Sequence, residues 1–389
     1  MKRDHGREGI YFDYAATTPV HPEVIRAMEP YLSEIFGNPS SPHSFGQEAK
    51  AAVEEARAKV AQLIGAREEE VIFTSGGTEA NNLALYGVAY ALRQRGNHII
   101  TSSIEHHSVL EACNFLEELG LEVTYLPVDG YGLLDPEDVR KAITPRTVLI
   151  SIMHANNEVG TIEPIREVAS IAKEYDVYLH TDAVQTVGHI PVNVDDLGVN
   201  LMSISAHKLY GPKGVGALYV RKGLMFTPFV RGGGQEKGRR AGTENVPGIV
   251  GFGRACELAL QDLEGEMKRL TALRDSLIRG LLERIKGIHL NGHPTERLPG
   301  NVNVRIDSVE AETLLLNLDL EGIAVSTGSA CSSGDLEPSH VLLAMGCSPE
   351  EALSALRLSL GRWTTQEEID RFLEVLPPLV QRLRAMRSL

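Results

Sequence analysis

The sequence predicts an α/β protein built around a mostly parallel central sheet. Three observations predict it. Short apolar runs alternate with amphipathic stretches from about residue 44 to residue 220, and strands of that kind need helices on both faces of their sheet. Glycine- and proline-rich turns punctuate the alternation, with no low-complexity linker and no internal repeat. The chain has 389 residues, of which 43% are hydrophobic, enough for a large core and, at roughly 150 residues per domain, for two or three domains.

The elements follow in order. Ser44 and Gln47 have capping-box spacing, and Ala49, Val53, Ala56, Val60, Leu63 and Ile64 recur at helical intervals up to Gly65. A strand at Val71–Phe73 runs into Ser75-Gly76-Gly77, with Thr78 as N-cap of a helix that Gly96 stops. Further strands read at His98–Ser102, Val123–Leu126, Thr147–Met153, Val177–Thr181 and Leu201–Ala206. Gly211-Pro212-Lys213-Gly214 is turn chemistry leading into Val215–Val220. A long helical region after about residue 245 carries the chain into a smaller α+β unit. The expected division is a large domain over 15–255 and a small one made of 1–14 plus 256–389.

Composition excludes several function classes. Asp plus Glu number 52 against 38 Lys plus Arg, a formal charge of -14, and such a surface repels nucleic-acid phosphates. The short basic cluster Lys237, Arg239, Arg240 is embedded in glycines. No stretch of about 18 apolar residues reads as a membrane span, and the N-terminus has no apolar signal core. Four cysteines without a CxxC pair suit a reducing compartment, so a cytoplasmic location is expected. No residue pattern indicates a metal site.

In open parallel sheets, ligands bind beyond the carboxyl ends of the strands. The residues just after successive predicted strands are Gly76-Gly77-Thr78, Glu105-His106-His107, Asn156-Asn157-Glu158, Asp182 with Gln185, and Ser205, His207 with Lys208. Gly-Gly-Thr opening a helix can present backbone N–H groups and a hydroxyl to a phosphate, with the helix dipole assisting. Singly, each residue has a plainer reading: a strand–helix turn, a helix cap for Asp182, a surface lysine. In order, they supply an amine for a Schiff base, an acid for a ring nitrogen and a cradle for a phosphate, the requirements of pyridoxal phosphate.

At this point the sequence resembles a known family over nearly its whole length. Tyr11 to Pro19, Gly37-Asn38-Pro39-Ser40-Ser41, Thr74 to Glu79, Ser205 to Gly214, Arg240 to Asn245 and Thr327 to Ser333 are similar to class I cysteine desulfurases of the NifS/IscS type. The resemblance implies the fold-type I, aspartate-aminotransferase-like architecture and pyridoxal 5'-phosphate as cofactor. It implies that Lys208 is the Schiff-base lysine, that Asp182 pairs with the pyridinium nitrogen and that Gln185 donates to the phenolic oxygen. It makes His106 the ring-stacking proton carrier and Asn156 a contact to cofactor and substrate. Gly77, Thr78, Ser205 and His207 hold the phosphate, with Thr243 reaching the partner subunit's phosphate in a homodimer. Arg357, on an alternating strand whose other reading is a solvated sheet face, becomes the clamp for the substrate carboxylate. His43 matches a family position without a clear role, and His107 reads as a helix start.

Four thiols compete for the chemistry. Cys113 and Cys256 fall within amphipathic helices and read as structural. Cys347 precedes the helix start Ser348-Pro349-Glu350-Glu351, where a helix N-terminus lowers a thiol pKa. Cys331 lies among small residues in Ser326 to Gly334, and the resemblance makes it the carrier that takes sulfur from L-cysteine as a persulfide, leaving L-alanine. The acceptor beyond it, an iron–sulfur scaffold or a tRNA-thiolating enzyme, is left open. A selenocysteine lyase or another carbon–sulfur lyase of the same fold is the alternative reading.

Overall fold

The computed structural model describes residues 9–327 and 337–387; Cys331 lies outside them. The strands are β1 (Ile10–Tyr11), β2 (Val71–Thr74), β3 (His98–Ser102), β4 (Glu122–Leu126), β5 (Thr147–Ser151), β6 (Tyr178–Asp182), β7 (Leu201–Ser205), β8 (Gly216–Val220), β9 (Ile288–Asn291), β10 (Asn301–Ile306), β11 (Ile323–Ala324) and β12 (Ala355–Ser359). The helices are α1 (Pro22–Met28), α2 (Ser44–Ile64), α3 (Gly77–Ala91), α4 (His107–Glu118), α5 (Pro136–Ala142), α6 (Ile165–Glu174), α7 (Val194–Leu197), α8 (Val246–Arg284), α9 (Ala311–Leu320), α10 (His340–Ala344), α11 (Pro349–Leu353) and α12 (Gln366–Arg387).

Seven strands form one sheet in the order β2-β8-β7-β6-β5-β3-β4. β8 runs antiparallel to both its neighbours, and every other pairing is parallel. The ends of β2, β3, β5, β6 and β7 therefore open on the same edge. Adjacent residues feed opposite faces, as a pleated strand requires. Ile100, Ile150 and Met202 pack with α2, α6 and α8, while Ile99, Leu149 and Leu201 pack with α3 and α4.

The 39-residue helix α8 links two cores. Phe252, Ala255, Cys256 and Leu258 belong to the first, and Leu270, Leu277 and Leu281 to a second. The second core lies on the antiparallel sheet β12-β10-β9 and includes Phe12, delivered by the parallel pairing of β1 with β11.

Several local expectations are corrected. α2 is capped by His43, whose Nδ1 accepts from Gly46 N–H at 3.3 Å, and Ser44 is already helical. α3 starts earlier than expected, with Gly76 as N-cap, so Thr78 sits in its first turn. Glycine is required at 216: a Cβ there would lie 2.5 Å from the Ile204 carbonyl oxygen and 2.8 Å from Gly76 Cα. That close approach fixes the turn before α3 against β8. Strand β12 is buried along its length, so Arg357 is not on a solvated face.

Candidate active site

The strand ends enclose a cavity of about 290 Å³. α3 contributes Gly77, Thr78 and Asn81; the start of α4 brings its N-cap His106 and Ser108 of its first turn. Asp182 ends β6, with Val184 and Gln185 after it; Ser205 ends β7, with His207 and Lys208 after it; and Arg357 enters from β12. Strands from both the seven-stranded and the three-stranded sheet therefore reach the cavity.

Asp182 is buried at the end of β6. Its Oδ1 accepts from Val184 N–H at 2.9 Å and its Oδ2 from Asn81 Nδ2 at 2.7 Å. Two donors fix the orientation of the carboxyl group, ready to face a ring nitrogen. Lys208 Nζ donates to the carbonyls of Ala15 and Ala16 at 2.5 and 2.8 Å, and Gln185 Nε2 donates to Ala15 O at 3.1 Å. The segment just after β1 thus cradles the amine.

His106 is the N-cap of α4. Its Nδ1 accepts from Ser108 N–H at 3.1 Å and lies 2.8 Å from Ser108 Oγ. Burial is the main cause that pushes its pKa down; Asp182 opposes this and Lys208 reinforces it. It is a neutral imidazole at neutral pH. His207 is pushed down to about 4 by burial and then by Lys208, with Nδ1 3.1 Å from Thr17 Oγ1. Neutral His207, buried Ser205 and the first turn of α3 offer polar partners at the phosphate end.

Arg357 is buried and only partly satisfied. Nη2 donates to Asp13 Oδ1 at 3.0 Å and Ser326 Oγ at 3.2 Å, and Nη1 donates to the Asn157 carbonyl at 3.1 Å. Its Nε has no partner among the described residues, and a buried orphan donor on a guanidinium is a place for a carboxylate.

Some expected residues do not reach this cavity. Asn156 is fully buried, but its side chain folds its own loop: Nδ2 donates to Ile104 O, and Oδ1 accepts from the N–H groups of Glu158 and Val159. Its neighbour Asn157 lines the cavity instead. Thr243 is exposed and lies outside the cavity of its own chain. His43 caps α2, and His107 is the first residue of α4. Sequence reasoning missed Asn81, Ser108 and Asp13. A signal existed for Asn81, a polar residue on the stripe shared with Ala84, Leu85 and Val88, which faces the core.

The donor set fits pyridoxal phosphate: an amine, a fixed carboxylate, a neutral imidazole and a helix N-terminus share one enclosure. Comparison with known proteins agrees. The family model described as aminotransferase class-V matches residues 10–372. The chain belongs to that family. Within it, the chain is 59% identical over 386 residues to the cysteine desulfurase IscS of Dictyoglomus turgidum, covering 99% of this chain and 97% of the relative. It is 56% identical to the cysteine desulfurase IscS of Methanosarcina thermophila, covering 98% and 94%. A solved NifS-like protein superposes with a TM-score of 0.91 at 41% identity, covering 96% of this chain and 100% of the other. A structure described as SspA in complex with cysteine superposes at 0.80 with 39% identity, covering 92% and 100%. As a member of this family, the chain is a pyridoxal-phosphate-dependent enzyme of fold type I.

The remaining thiols of the described residues are poor candidates for chemistry. Burial pushes Cys113 up to about 12 and raises Cys256 further still. Cys347, expected to gain from a helix N-terminus, is instead raised by burial and then by Glu351, with only Arg305 opposing. It packs against the small cluster around Val341 and Ala352.

Proposed function

We propose that this chain is a cysteine desulfurase that transfers the sulfur of L-cysteine to Cys331 as a persulfide, releasing L-alanine. The observation that carries the reading is the meeting of Lys208, Asp182, His106 and Arg357 around one cavity. When bound, pyridoxal phosphate supplies an electron sink that labilises the substrate α-proton and then the carbon–sulfur bond.

The chain's own residues do the rest. Arg357 holds the substrate carboxylate through its unpartnered Nε, fixing which bond faces the ring. Lys208 anchors the cofactor and afterwards carries a proton at Nζ. His106 lines the cavity, and with Nδ1 engaged by Ser108 its Nε2 is the nitrogen left to act as the second proton carrier. Asp182 would face the ring nitrogen and favour its protonated form. The Cys331 thiolate attacks the substrate sulfur: an S–S bond forms, the C–S bond breaks, and the carbon fragment takes up protons to become alanine.

Both flanks of residues 328–336 support this role. Ser326 is bridged to Arg357, Ser339 Oγ donates to Glu158 Oε2 at 2.5 Å, and His340 Nε2 is 2.9 Å from the Glu105 carbonyl. The described residues on either side, Ser326 and Ser339-His340, thus lie beside the cavity's own loops. A homodimer, with Thr243 serving the partner's phosphate, is part of the same proposal, as are a cytoplasmic location and delivery to an iron–sulfur scaffold or a tRNA-thiolating enzyme. No helix of the described residues is long and apolar enough to cross a membrane.

Borohydride reduction and peptide mapping should place the cofactor on Lys208. Cys331→Ser should keep the cofactor's visible absorbance and lose alanine release by at least about a hundredfold. Full turnover in that variant, or label on another lysine, refutes the proposal.

A further inference from the structure

We infer that Asn81 is a positioning residue that ties the Asp182 carboxylate and the His106 imidazole into one hydrogen-bonded frame. The inference rests on the site reading above and adds a residue to it.

Asn81 is 1% exposed, lies on α3 and lines the cavity. Its Nδ2 donates both to Asp182 Oδ2, at 2.7 Å, and to Ser108 Oγ, at 2.8 Å. A carboxylate only accepts, so Asp182 decides which end of the amide faces it. Ser108 Oγ, having accepted from Asn81, donates its own hydrogen to His106 Nδ1 at 2.8 Å, and Ser108 N–H points at the same nitrogen at 3.1 Å. Nδ1 is then an acceptor twice over, and the imidazole proton belongs on Nε2. Donor direction thus runs from Asn81 through Ser108 to His106 without a break, and this fixes one tautomer.

Asn81 also stands about one turn after Gly77 and Thr78 on the same helix. One rigid element therefore places the phosphate end and the ring-nitrogen end of the cavity relative to each other. Asn81 Oδ1 is buried with no partner among the described residues, so no protein group competes to turn the amide away from Asp182.

Three measurements on the holoenzyme and its Asn81→Ala and Asn81→Asp variants test the frame. Expected for Asn81→Ala are a cofactor dissociation constant raised tenfold or more and a displaced pH midpoint of the cofactor's visible band. Nitrogen-15 spectra of His106 should change from a single Nε2–H tautomer to a mixture. Asn81→Asp has the same shape and should resemble Asn81→Ala above neutral pH. It should return toward wild-type affinity near pH 5.5, where a protonated carboxyl can again donate to Asp182. Folded variants with affinity, midpoint and tautomer all unchanged overturn the inference, and so does weaker affinity with midpoint and tautomer unmoved, the mark of packing alone. If Asn81→Ala does not fold, Asn81→Asp supplies the same readouts. Borohydride mapping separates the two levels: cofactor on another lysine defeats the site reading itself, whereas cofactor on Lys208 with indifferent Asn81 variants defeats only this frame.

Discussion

Arg57 and Glu236 meet in a two-pronged buried ion pair: Nη1 donates to Oε2 at 2.7 Å and Nη2 to Oε1 at 2.9 Å. Glu236 Oε2 also accepts from Phe73 N–H at 3.0 Å, and Arg57 Nη1 donates to the Val71 carbonyl. The pair fastens the glycine-rich loop that leads to Thr243 onto α2 and the start of β2. Glu236 and Lys237 both sit at positive φ, 47° and 56°, which non-glycine residues rarely adopt, so the loop's shape depends on the anchor.

Removing one member of the pair strands the other. Arg57→Ala is expected to lose about 3–5 kcal/mol of stability, read from urea unfolding. Arg57→Met combined with Glu236→Leu should cost much less. Equal losses in the two proteins would show that the charge pair is not what matters.

Arg357→Lys keeps a charge but loses the planar fork and the Nε donor. The KM for cysteine should rise on the order of 10- to 100-fold, with kcat within about threefold. Steady-state alanine release measures both, and an unchanged KM removes Arg357 from the substrate carboxylate.

Thiol labelling should be selective. Burial leaves Cys113, at about 12, roughly a thousandfold less thiolate at neutral pH than an ordinary thiol, and Cys256 and Cys347 are raised as well. Iodoacetamide on the native protein should modify Cys331 first, and Cys331→Ser should slow the initial reaction at least about tenfold. An undiminished initial rate would place the reactive thiol elsewhere.

Stability should be level between about pH 4.5 and 6.5, where the two sets of groups offset each other, and fall on either side. Burial lowers His154 to about 4 and His180 to about 3. Below the unfolded value near 6.5 the unfolded chain binds more protons at these sites, so their contribution to stability falls as pH drops through that interval. Burial raises Glu105 and Glu163 to about 8. Between the unfolded value and 8 the folded chain holds the extra protons, so these groups lose stability as pH rises, by about 2 kcal/mol each between 6.5 and 8. Urea midpoints at about pH 3.5, 5.5 and 8.5 check both arms; a monotonic trend would contradict the burial of one of the two sets.

The sheet was legible because its strands are apolar runs with turns at their ends, and His98–Ser102 is bounded in the structure as its sequence suggests. The strand ends also announced Asp182, Ser205, His207 and Lys208 as neighbours. The shift from Asn156 to Asn157 was not legible, since in Asn-Asn-Glu no periodicity tells which amide turns inward to hold the loop. Asp13 as the partner of Arg357 was hidden for another reason: the two are 344 positions apart, and no local pattern encodes such a pairing. Thr78 reads as a cap because a hydroxyl residue is the usual one; Gly76 takes that place where the backbone must pass close to Gly216.

The contacts of Asp13, Ala15 and Ala16 with Arg357 and Lys208 bear on the order in which the molecule is made. Lys208 follows Ala16 by 192 residues and Arg357 follows Asp13 by 344, so a ribosome makes the Asp13–Ala16 stretch long before these two partners. The reactive centre thus cannot close until the strand that carries Arg357 has emerged, and the nascent chain must wait with its pocket unfinished.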